Sequence, residues 1–152
     1  LLLELLSLFM NEVEKIFRDY VQSKGLKFTP ERQIILNHVF ECHGHFEAEE
    51  LLIDMRKNNK RVSKATIYRT LALLVNSGLL REVIFGEKHA HYEHVYGHEH
   101  HEHLVCLGCG KIIEFTDARI EEFQEDVCIE NKFKAESHKF QIMGYCEDCK
   151  EA

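Results

Sequence analysis

The C-terminal part of the sequence contains two pairs of cysteines whose spacing suits metal binding. They are Cys106-Leu107-Gly108-Cys109 and Cys146-Glu147-Asp148-Cys149. Two thiolates three residues apart on a turn can occupy two corners of a tetrahedron, and two such turns complete the Cys₄ set of structural zinc sites. A pair of disulfides in an exported protein, or a redox-active CxxC motif, are the alternatives. We favour structural zinc, because two copies of the motif suit a clip and the sequence shows no features of an export signal.

A histidine-rich segment, His98–His103, directly precedes the first cysteine pair. It lacks the HExxH pattern, so it is not the helix of a zinc protease. If the chain is extended from His100 onward, alternate side chains point to opposite faces. His101 and His103 then share one face, while His100 and Glu102 share the other, so that one strand supplies ligands to two metal sites. The alternative is a solvated polar strand or a nonspecific histidine-rich tract.

The charge of the chain is unevenly distributed. The net charge is −7, yet the segment from Met55 to Arg81 contains seven basic residues and no acidic one. A local basic run of this kind suits a surface that binds a polyanion such as DNA, even in an acidic protein. The alternative is a solvated helix face that acidic residues of neighbouring segments neutralise.

The composition limits the class of protein. The chain has 152 residues, of which 45% are hydrophobic and 30% are charged, as expected for one or two small globular domains. No stretch approaches eighteen consecutive apolar residues, so a transmembrane helix is excluded. The apolar start, Leu1–Phe9, lacks the basic region and cleavage site of a signal peptide. We therefore expect a cytoplasmic protein with no membrane partner.

Hydrophobic spacing and capping residues predict the elements of the first half. They are an amphipathic helix that includes Leu5 and ends at Gly25, a helix that begins at Thr29-Pro30, helices over Glu47–Arg56 and Lys64–Asn76, and strands over Leu80–Phe85 and Ala90–Val95 around a turn at Gly86-Glu87-Lys88. The second helix is predicted to bury four apolar side chains, namely Ile34, Ile35, Val39 and Phe40. This order of helices followed by a hairpin is that of a winged helix-turn-helix.

The second half predicts a smaller mixed domain. Its elements are strands over His101–Val105 and Lys111–Phe115, a helix over Asp117–Lys132 and a strand over Lys139–Tyr145. The predicted fold class is α+β, with a winged helix-turn-helix domain and its N-terminal helical extension over residues 1–95 and a metal-binding α/β domain over residues 96–152.

The helix Lys64–Asn76 is the candidate for reading DNA. It follows a basic loop, and the N-terminal end of a recognition helix usually enters the major groove. Ala65 permits close approach, Arg69 can bind a guanine edge or a phosphate, and Tyr68 can contact a thymine methyl group. Alternatively, Tyr68 packs at the rim of the core and Arg69 forms an intramolecular ion pair. A winged helix can also serve as a protein-interaction module, here combined with a zinc ribbon.

The sequence between Gly25 and Cys149 resembles the ferric uptake regulator (Fur) family of bacterial metal-dependent repressors. The most specific matches are the run Ala65-Thr66-Ile67-Tyr68-Arg69-Thr70-Leu71 and the run from His100 to Phe115. The resemblance implies a winged-helix domain that binds double-stranded operator DNA and an α/β domain that forms a homodimer.

The resemblance also implies a role for particular residues. The regulatory metal site, in a cleft between the domains, would contain His45, Glu93, His101, His103 and Glu114. A second metal site would contain His100, Glu102, Glu121 and His138. The structural zinc site would contain Cys106, Cys109, Cys146 and Cys149. The predicted DNA contacts are Lys27, Lys64, Ala65, Tyr68 and Arg69.

Two departures from the family pattern leave alternatives open. The spacing between Glu93 and Cys106 is one residue longer than in the best-known member, so another histidine could replace Glu93 as a ligand. The candidates are His89, His91, His94 and His98. The carboxylate of the second site is Glu102, where aspartate is frequent in the family. Cys42 and Cys128 are expected to be buried thiols.

The ligand types bear on the metal that is sensed. Histidine and carboxylate ligands without a thiolate suit Fe²⁺, Mn²⁺, Co²⁺ or Zn²⁺. Peroxide sensors of the family usually carry aspartate at the position of Glu114, and zinc sensors often use a cysteine, so we expect Fe²⁺ sensing and iron homeostasis. A peroxide or zinc sensor is the alternative within the family. A metal-dependent hydrolase is the alternative outside it, but no unliganded general base stands out, and we expect no enzyme.

Overall fold

A computed structural model of the chain describes residues 2–42, 44–84, 90–97 and 99–151. The predicted turn at Gly86-Glu87-Lys88, together with His89 and His98, lies outside these residues. The chain divides into two compact units, a first unit over Leu1–His98 and a second unit over Glu99–Ala152. Among the described residues, none of the helices combines the length and the apolar character that crossing a membrane requires.

Among the residues that the structure describes, four helices form most of the first unit. They are α1 (Leu2–Ser23), α2 (Pro30–Glu41), α3 (Ala48–Lys57) and α4 (Lys64–Asn76). Local capping determines where they begin: the Thr29 hydroxyl accepts a hydrogen bond from the Arg32 amide at 3.4 Å, and the Ser63 hydroxyl accepts one from the Thr66 amide at 3.1 Å. Pro30 occupies the first turn of α2, where its missing N–H costs nothing.

A three-stranded antiparallel sheet completes the first unit. Its strands are β1 (Phe46–Glu47), β2 (Leu80–Ile84) and β3 (Ala90–His94), in the order β1-β3-β2. Phe46 pairs with Tyr92, and Arg81 pairs with Glu93. The strand β1 was not predicted from the sequence, because two residues are too few to show the alternation of a strand. This strand matters for the site, since it places the residue before it, His45, next to Glu93.

The core of the first unit lies among α1, α2, α3 and α4. Its fully buried side chains include Val13, Phe17, Val21, Ile35, Leu36, Val39, Ile67, Leu71 and Leu74. On α2 the expected burial of Ile34 was wrong: its side chain is 37% exposed, whereas Leu36 is fully buried. Leu36 lies three residues before Val39 and therefore shares its helix face, while Ile34 lies at the edge of that face.

The start of α1 does not contribute to this core. Leu5, which the helical spacing placed on the buried stripe, is 58% exposed, and Leu3, Leu6 and Leu8 are exposed as well. Packing begins one turn later at Phe9, whose ring lies 6.1 Å from that of Phe40. The apolar side of α1 therefore packs against the core only from Phe9 onward.

The second unit is built around a three-stranded mixed sheet and one helix. The elements are β4 (Glu102–Cys106), β5 (Ile112–Phe115), α5 (Ala118–Glu130) and β6 (Gln141–Gly144). The central strand β4 pairs antiparallel with β5 and parallel with β6. The Asp117 carboxylate caps α5 by accepting a hydrogen bond from the Arg119 amide at 3.0 Å. The two ends of β4 carry metal-ligand candidates, Glu102 and His103 at one end and Cys106 at the other.

Candidate metal centres

The four cysteines of the two CxxC motifs converge in the second unit. Parallel pairing of β4 with β6 brings Cys106 opposite Gly144, two residues before Cys146. The four sulfur atoms lie within 4.8 Å of one another, and the thiols are free. The Sγ atoms of Cys109 and Cys146 are 3.8 Å apart, well beyond the roughly 2.05 Å of a disulfide bond. The arrangement suits a tetrahedral thiolate site rather than a pair of disulfides.

Backbone amides prepare one of these thiols for ionisation. The amides of Cys146 and Cys109 point at the Cys106 sulfur at 3.4 and 3.5 Å, and they lower the pKa of Cys106 from 9.0 to about 6. Hydrogen bonds with the other three thiols, that of Cys146 first, raise the pKa of Cys149 to about 12. Four adjacent thiolates repel one another in the absence of a cation. A divalent cation would hold all four ionised, and this donor set fits zinc.

Gly108 allows the two cysteine turns to approach each other. A Cβ atom at this position would lie 3.0 Å from both Cβ and Sγ of Cys149, and 3.6 Å from Sγ of Cys106. Only a residue without a side chain avoids this overlap, so the spacing Cys-Leu-Gly-Cys has a steric reason at its third position.

The second cluster contains two imidazoles and two carboxylates of the second unit. One oxygen of Glu102 lies 2.8 Å from Nε2 of His138 and 3.4 Å from Nδ1 of His100. An oxygen of Glu121 lies 3.4 Å from the same nitrogen of His100 and 3.5 Å from that of His138. All four ligand atoms lie within 4.8 Å of one another. Two nitrogen and two oxygen donors at this spacing fit a first-row divalent cation.

Three elements position the second cluster. Glu102 opens β4, Glu121 lies in the first turn of α5, and His138 precedes β6. Glu102 is only 3% exposed, and its second oxygen accepts a hydrogen bond from the Phe140 amide at 3.0 Å. A buried carboxylate is costly unless it is paired. The amide fixes the carboxylate so that its other oxygen faces the imidazoles.

A histidine–glutamate pair lies within the first unit. His45 Nε2 is 2.6 Å from one oxygen of Glu93, and the guanidinium of Arg81 binds the other oxygen, with Nε at 2.6 Å. Glu93 is 3% exposed. The register of the sheet explains the arrangement, because Glu93 pairs with Arg81 on one side and follows Tyr92, the partner of Phe46, on the other.

The second unit contains a further group of nitrogen and oxygen donors. The rings of His101 and His103 are 5.1 Å apart, His101 Nε2 lies 3.7 Å from a Glu114 oxygen, and His103 pairs with Glu114 across β4 and β5. His100 and Glu102 lie in the second cluster, so alternate residues of the segment supply different groups. This is the separation that strand alternation predicts.

Two of the histidines left open by the sequence have other partners. His94 is buried, its Nε2 lies 2.6 Å from the Val39 carbonyl oxygen, and its ring stacks on Phe40 at 4.5 Å. His91 pairs with Glu47 at 3.3 Å. These contacts give both histidines structural roles in the first unit.

The two remaining cysteines are less buried than expected. Cys42 and Cys128 are half-buried. Burial nevertheless raises the pKa of the Cys42 thiol, which donates a hydrogen bond to the His38 carbonyl oxygen at 3.3 Å.

The residues predicted to contact DNA are all on the surface. Lys27, Lys64, Ala65, Tyr68 and Arg69 are exposed. The Tyr68 hydroxyl donates a hydrogen bond to Glu49 at 3.2 Å, and Lys64 forms an ion pair with the same carboxylate. Tyr68 is 42% exposed, so its ring does not pack into the core.

The first unit carries an exposed helix with basic residues, α4. The second unit carries thiol and imidazole–carboxylate clusters. This combination is that of the metal-responsive transcriptional regulators. The chain belongs to the ferric uptake regulator family, whose sequence pattern matches residues 23–143. Members of this family are regulators rather than enzymes, so the hydrolase alternative is set aside.

Individual proteins show the same relationship. A ferric uptake regulation protein of Campylobacter jejuni is 34% identical over 135 residues, which cover 88% of this chain and 85% of the relative. A peroxide-responsive repressor PerR of Staphylococcus epidermidis is 28% identical over 86% of each chain. The solved structure of Helicobacter pylori Fur, described as having three functional metal binding sites, matches with a TM-score of 0.78 and 29% identity over 94% of this chain and 95% of that one.

Proposed function

We propose that this protein is a metal-activated repressor of transcription that senses Fe²⁺ to control iron homeostasis. The observation that carries the proposal is the chemistry of two donor groups, His45 with Glu93 in the first unit and His101 with His103 and Glu114 in the second. Both offer only imidazole nitrogen and carboxylate oxygen. Such ligands suit Fe²⁺, Mn²⁺, Co²⁺ or Zn²⁺, and geometry and availability rather than affinity select among them.

We infer that one regulatory ion takes ligands from both groups. The first group offers two donors, His45 Nε2 and the Glu93 oxygen that Arg81 does not bind, and such a pair does not satisfy a cation that needs four to six ligands. Adding His101, His103 and Glu114 raises the number of donor residues to five, which is within the required range. An ion that requires both units would favour one arrangement of the units over others, which is a population shift.

The other two clusters would serve stability in this account. A structural Zn²⁺ would be held by Cys106, Cys109, Cys146 and Cys149, tying β4 to the end of the chain. A second divalent cation would be held by His100, Glu102, Glu121 and His138. The ligands of both clusters belong to one unit, so these ions would brace that unit without reporting on the other.

The DNA-binding part would be a winged helix-turn-helix in which α4 reads the major groove. The order α2, α3, α4, β2, β3 supports this, and so does the exposure of Lys64, Ala65, Tyr68 and Arg69 on α4. Glu49 pairs with Lys64 and Tyr68 in the DNA-free chain. DNA would have to displace Glu49 from these two side chains. The cost of this displacement disfavours weak, nonspecific contacts. Lys27 would reach the backbone or the minor groove beside this helix.

Exposed apolar side chains support a homodimer built on the second unit. None of the described residues of α5 is buried, although several of them are large and apolar. Phe123 is 69% exposed, and Val127 and Ile129 are also exposed. Ile142 and Met143 on β6 are exposed too. Large apolar patches on soluble proteins usually mark association surfaces. A dimer would also place two α4 helices on one duplex, as half-site recognition requires.

The test is a DNA-binding titration with Fe²⁺, Mn²⁺ and Zn²⁺, each added separately under anaerobic conditions. The metal-loaded protein first selects its duplex from a random-sequence library, and fluorescence anisotropy then measures the dissociation constant with and without metal. We expect Fe²⁺ to tighten binding most at concentrations found in cells. Activation by Zn²⁺ alone would favour a zinc sensor, and loss of binding by the Fe²⁺ form on addition of hydrogen peroxide would favour a peroxide sensor. Equal affinity with and without every metal would contradict the proposal.

A further inference from the structure

The loop between α3 and α4 forms an open, basic hollow whose residues are not among the DNA contacts named above. Its lining includes three cationic residues, Arg56, Lys60 and Arg61, with Asn59, Val62 and Ser63 between them, and no acidic residue is among these lining residues. We call these six residues the basic hollow. It lies directly before α4, the helix assigned to DNA reading.

Backbone hydrogen bonds fix the shape of the basic hollow. The Asn59 amide donates to the Arg56 carbonyl at 3.1 Å, and the Lys60 amide donates to the Met55 carbonyl at 2.9 Å. Asn59 has a φ of 57°, a conformation that asparagine tolerates better than most residues. On the far side Ser63 caps α4. The cations are therefore carried by a loop of defined shape.

A buried histidine that is not among the predicted site residues holds Lys60 in place. His38 on α2 is 3% exposed, its Nε2 lies 2.7 Å from the Asp54 carboxylate, and its Nδ1 lies 2.9 Å from the Lys60 ammonium. Since an ammonium can only donate, Nδ1 must accept and Nε2 must carry the proton toward Asp54. Glu41 lies 3.6 Å from the same ammonium and is largely exposed. Ordering this lysine in advance removes part of the entropy cost of a later contact.

We propose that the basic hollow binds one phosphodiester group of the DNA backbone, with Arg56, Lys60 and Arg61 as its ligands and His38 as the residue that positions Lys60. The inference rests on the proposed DNA-binding function and adds a contact outside the reading surface of α4. A phosphate contact carries no base information, but it fixes the register of the reading helix on the duplex. Arginine pairs with phosphate in a bidentate manner, and lysine adds a point charge.

The test compares alanine variants of neighbouring cations in the full-length, metal-loaded protein. Arg56→Ala and Arg61→Ala remove ligands of the basic hollow, and Lys57→Ala is the matched control, because Lys57 is exposed on the same turn but does not line the hollow. Dissociation constants for the selected duplex are measured between 50 and 200 mM salt. Because three cations share one phosphate, complete loss of this contact would reduce the salt slope by about 0.9 per bound chain, which is a difference of about 3–4-fold per chain over this range, and each single variant should show part of this reduction. Lys57→Ala should keep the slope of the parent.

A second comparison tests the role of His38. Lys60→Ala and His38→Phe should reduce the slope equally, and the double variant should lose no more than either single variant. A merely structural role for His38 would change the melting temperature without changing the slope.

A neutral methylphosphonate scanned along the duplex identifies the phosphate itself. At one position the methylphosphonate should weaken DNA binding by the parent and have little further effect on DNA binding by Arg61→Ala. The proposal is overturned if the parent binds DNA and Arg56→Ala, Arg61→Ala and Lys57→Ala change the slope alike, because the hollow would then act only through general charge. If the metal-loaded parent bound no DNA, the proposed function would be wrong and the phosphate site would fall with it.

Discussion

Adding a single methyl group at Gly108 should loosen the zinc site that we propose. The new Cβ would lie 3.0 Å from Cβ and Sγ of Cys149, where an ordinary contact is 3.4–4 Å, so Cys149 must give way by a few tenths of an ångström. Metal–ligand distances tolerate only about ±0.2 Å. We expect Gly108→Ala to weaken zinc binding by about 10–100-fold, the range found when groups that orient metal ligands are changed.

The same methyl group at Gly144 provides the control. Gly144 lies two residues before Cys146, and a Cβ there would meet nothing within 4 Å. Zinc transfer to a chromogenic chelator, measured by competition at neutral pH, gives the affinity of the parent and of both variants. Gly144→Ala should behave like the parent. Parent-like affinity in Gly108→Ala, or an equal loss in both variants, would refute the steric reasoning.

Two further predictions concern the stability of each unit. Leu71→Ala, at a fully buried position of α4, should lower the free energy of unfolding of the first unit by about 2–5 kcal/mol in urea denaturation, because it leaves a cavity. In the second unit, hydrogen bonds from Arg119 lower the pKa of Asp117 from 3.8 to about 2. Since the native pKa is the lower one, this stabilisation is complete above about pH 4 and is lost as the pH falls through about 2. The stability difference between the parent and Asp117→Asn, followed by circular dichroism, should therefore shrink across that window, and a constant difference would contradict the assignment.

Elements whose signals are local were predictable from the sequence. The helix α4 was expected over Lys64–Asn76 and is observed over these residues, and Ser63 caps it. The cap, the apolar period and Gly78 all lie within sixteen residues and agree with one another. Gly78 has a φ of +80°, the left-handed conformation that ends helices and that glycine adopts at little cost.

Features that depend on distant partners were not predictable in the same way. The strand β1 exists because Phe46 finds Tyr92 in β3, and two residues of sequence carry no sign of that partner. The exposure of Leu5 depends on where the core ends rather than on the apolar period of α1. Local patterns show which faces are apolar, but not how far the neighbouring elements extend to cover them.

The same distinction between local signals and distant partners applies to the candidate sites. The cysteine pairs and the alternation of His100 to His103 follow from spacing within a few residues. Glu121 and His138 join the second cluster from elements far along the chain, and only the family resemblance pointed to them. The His38–Asp54–Lys60 contacts had no sequence signal, because the types of these residues do not reveal which of them becomes buried.

We propose that the ion bound through His101 and His103 controls DNA binding, whereas the ion bound through His100 does not. The most direct measurement is the affinity for the selected duplex against added Fe²⁺ or Mn²⁺ in His101→Ala, His103→Ala and His100→Ala. We predict that the first two variants lose all or most of the metal activation, that His100→Ala has a weaker effect, and that all three keep the fold, since the thiol site is untouched. Full activation in His101→Ala, or an equal loss in all three variants, would contradict the account.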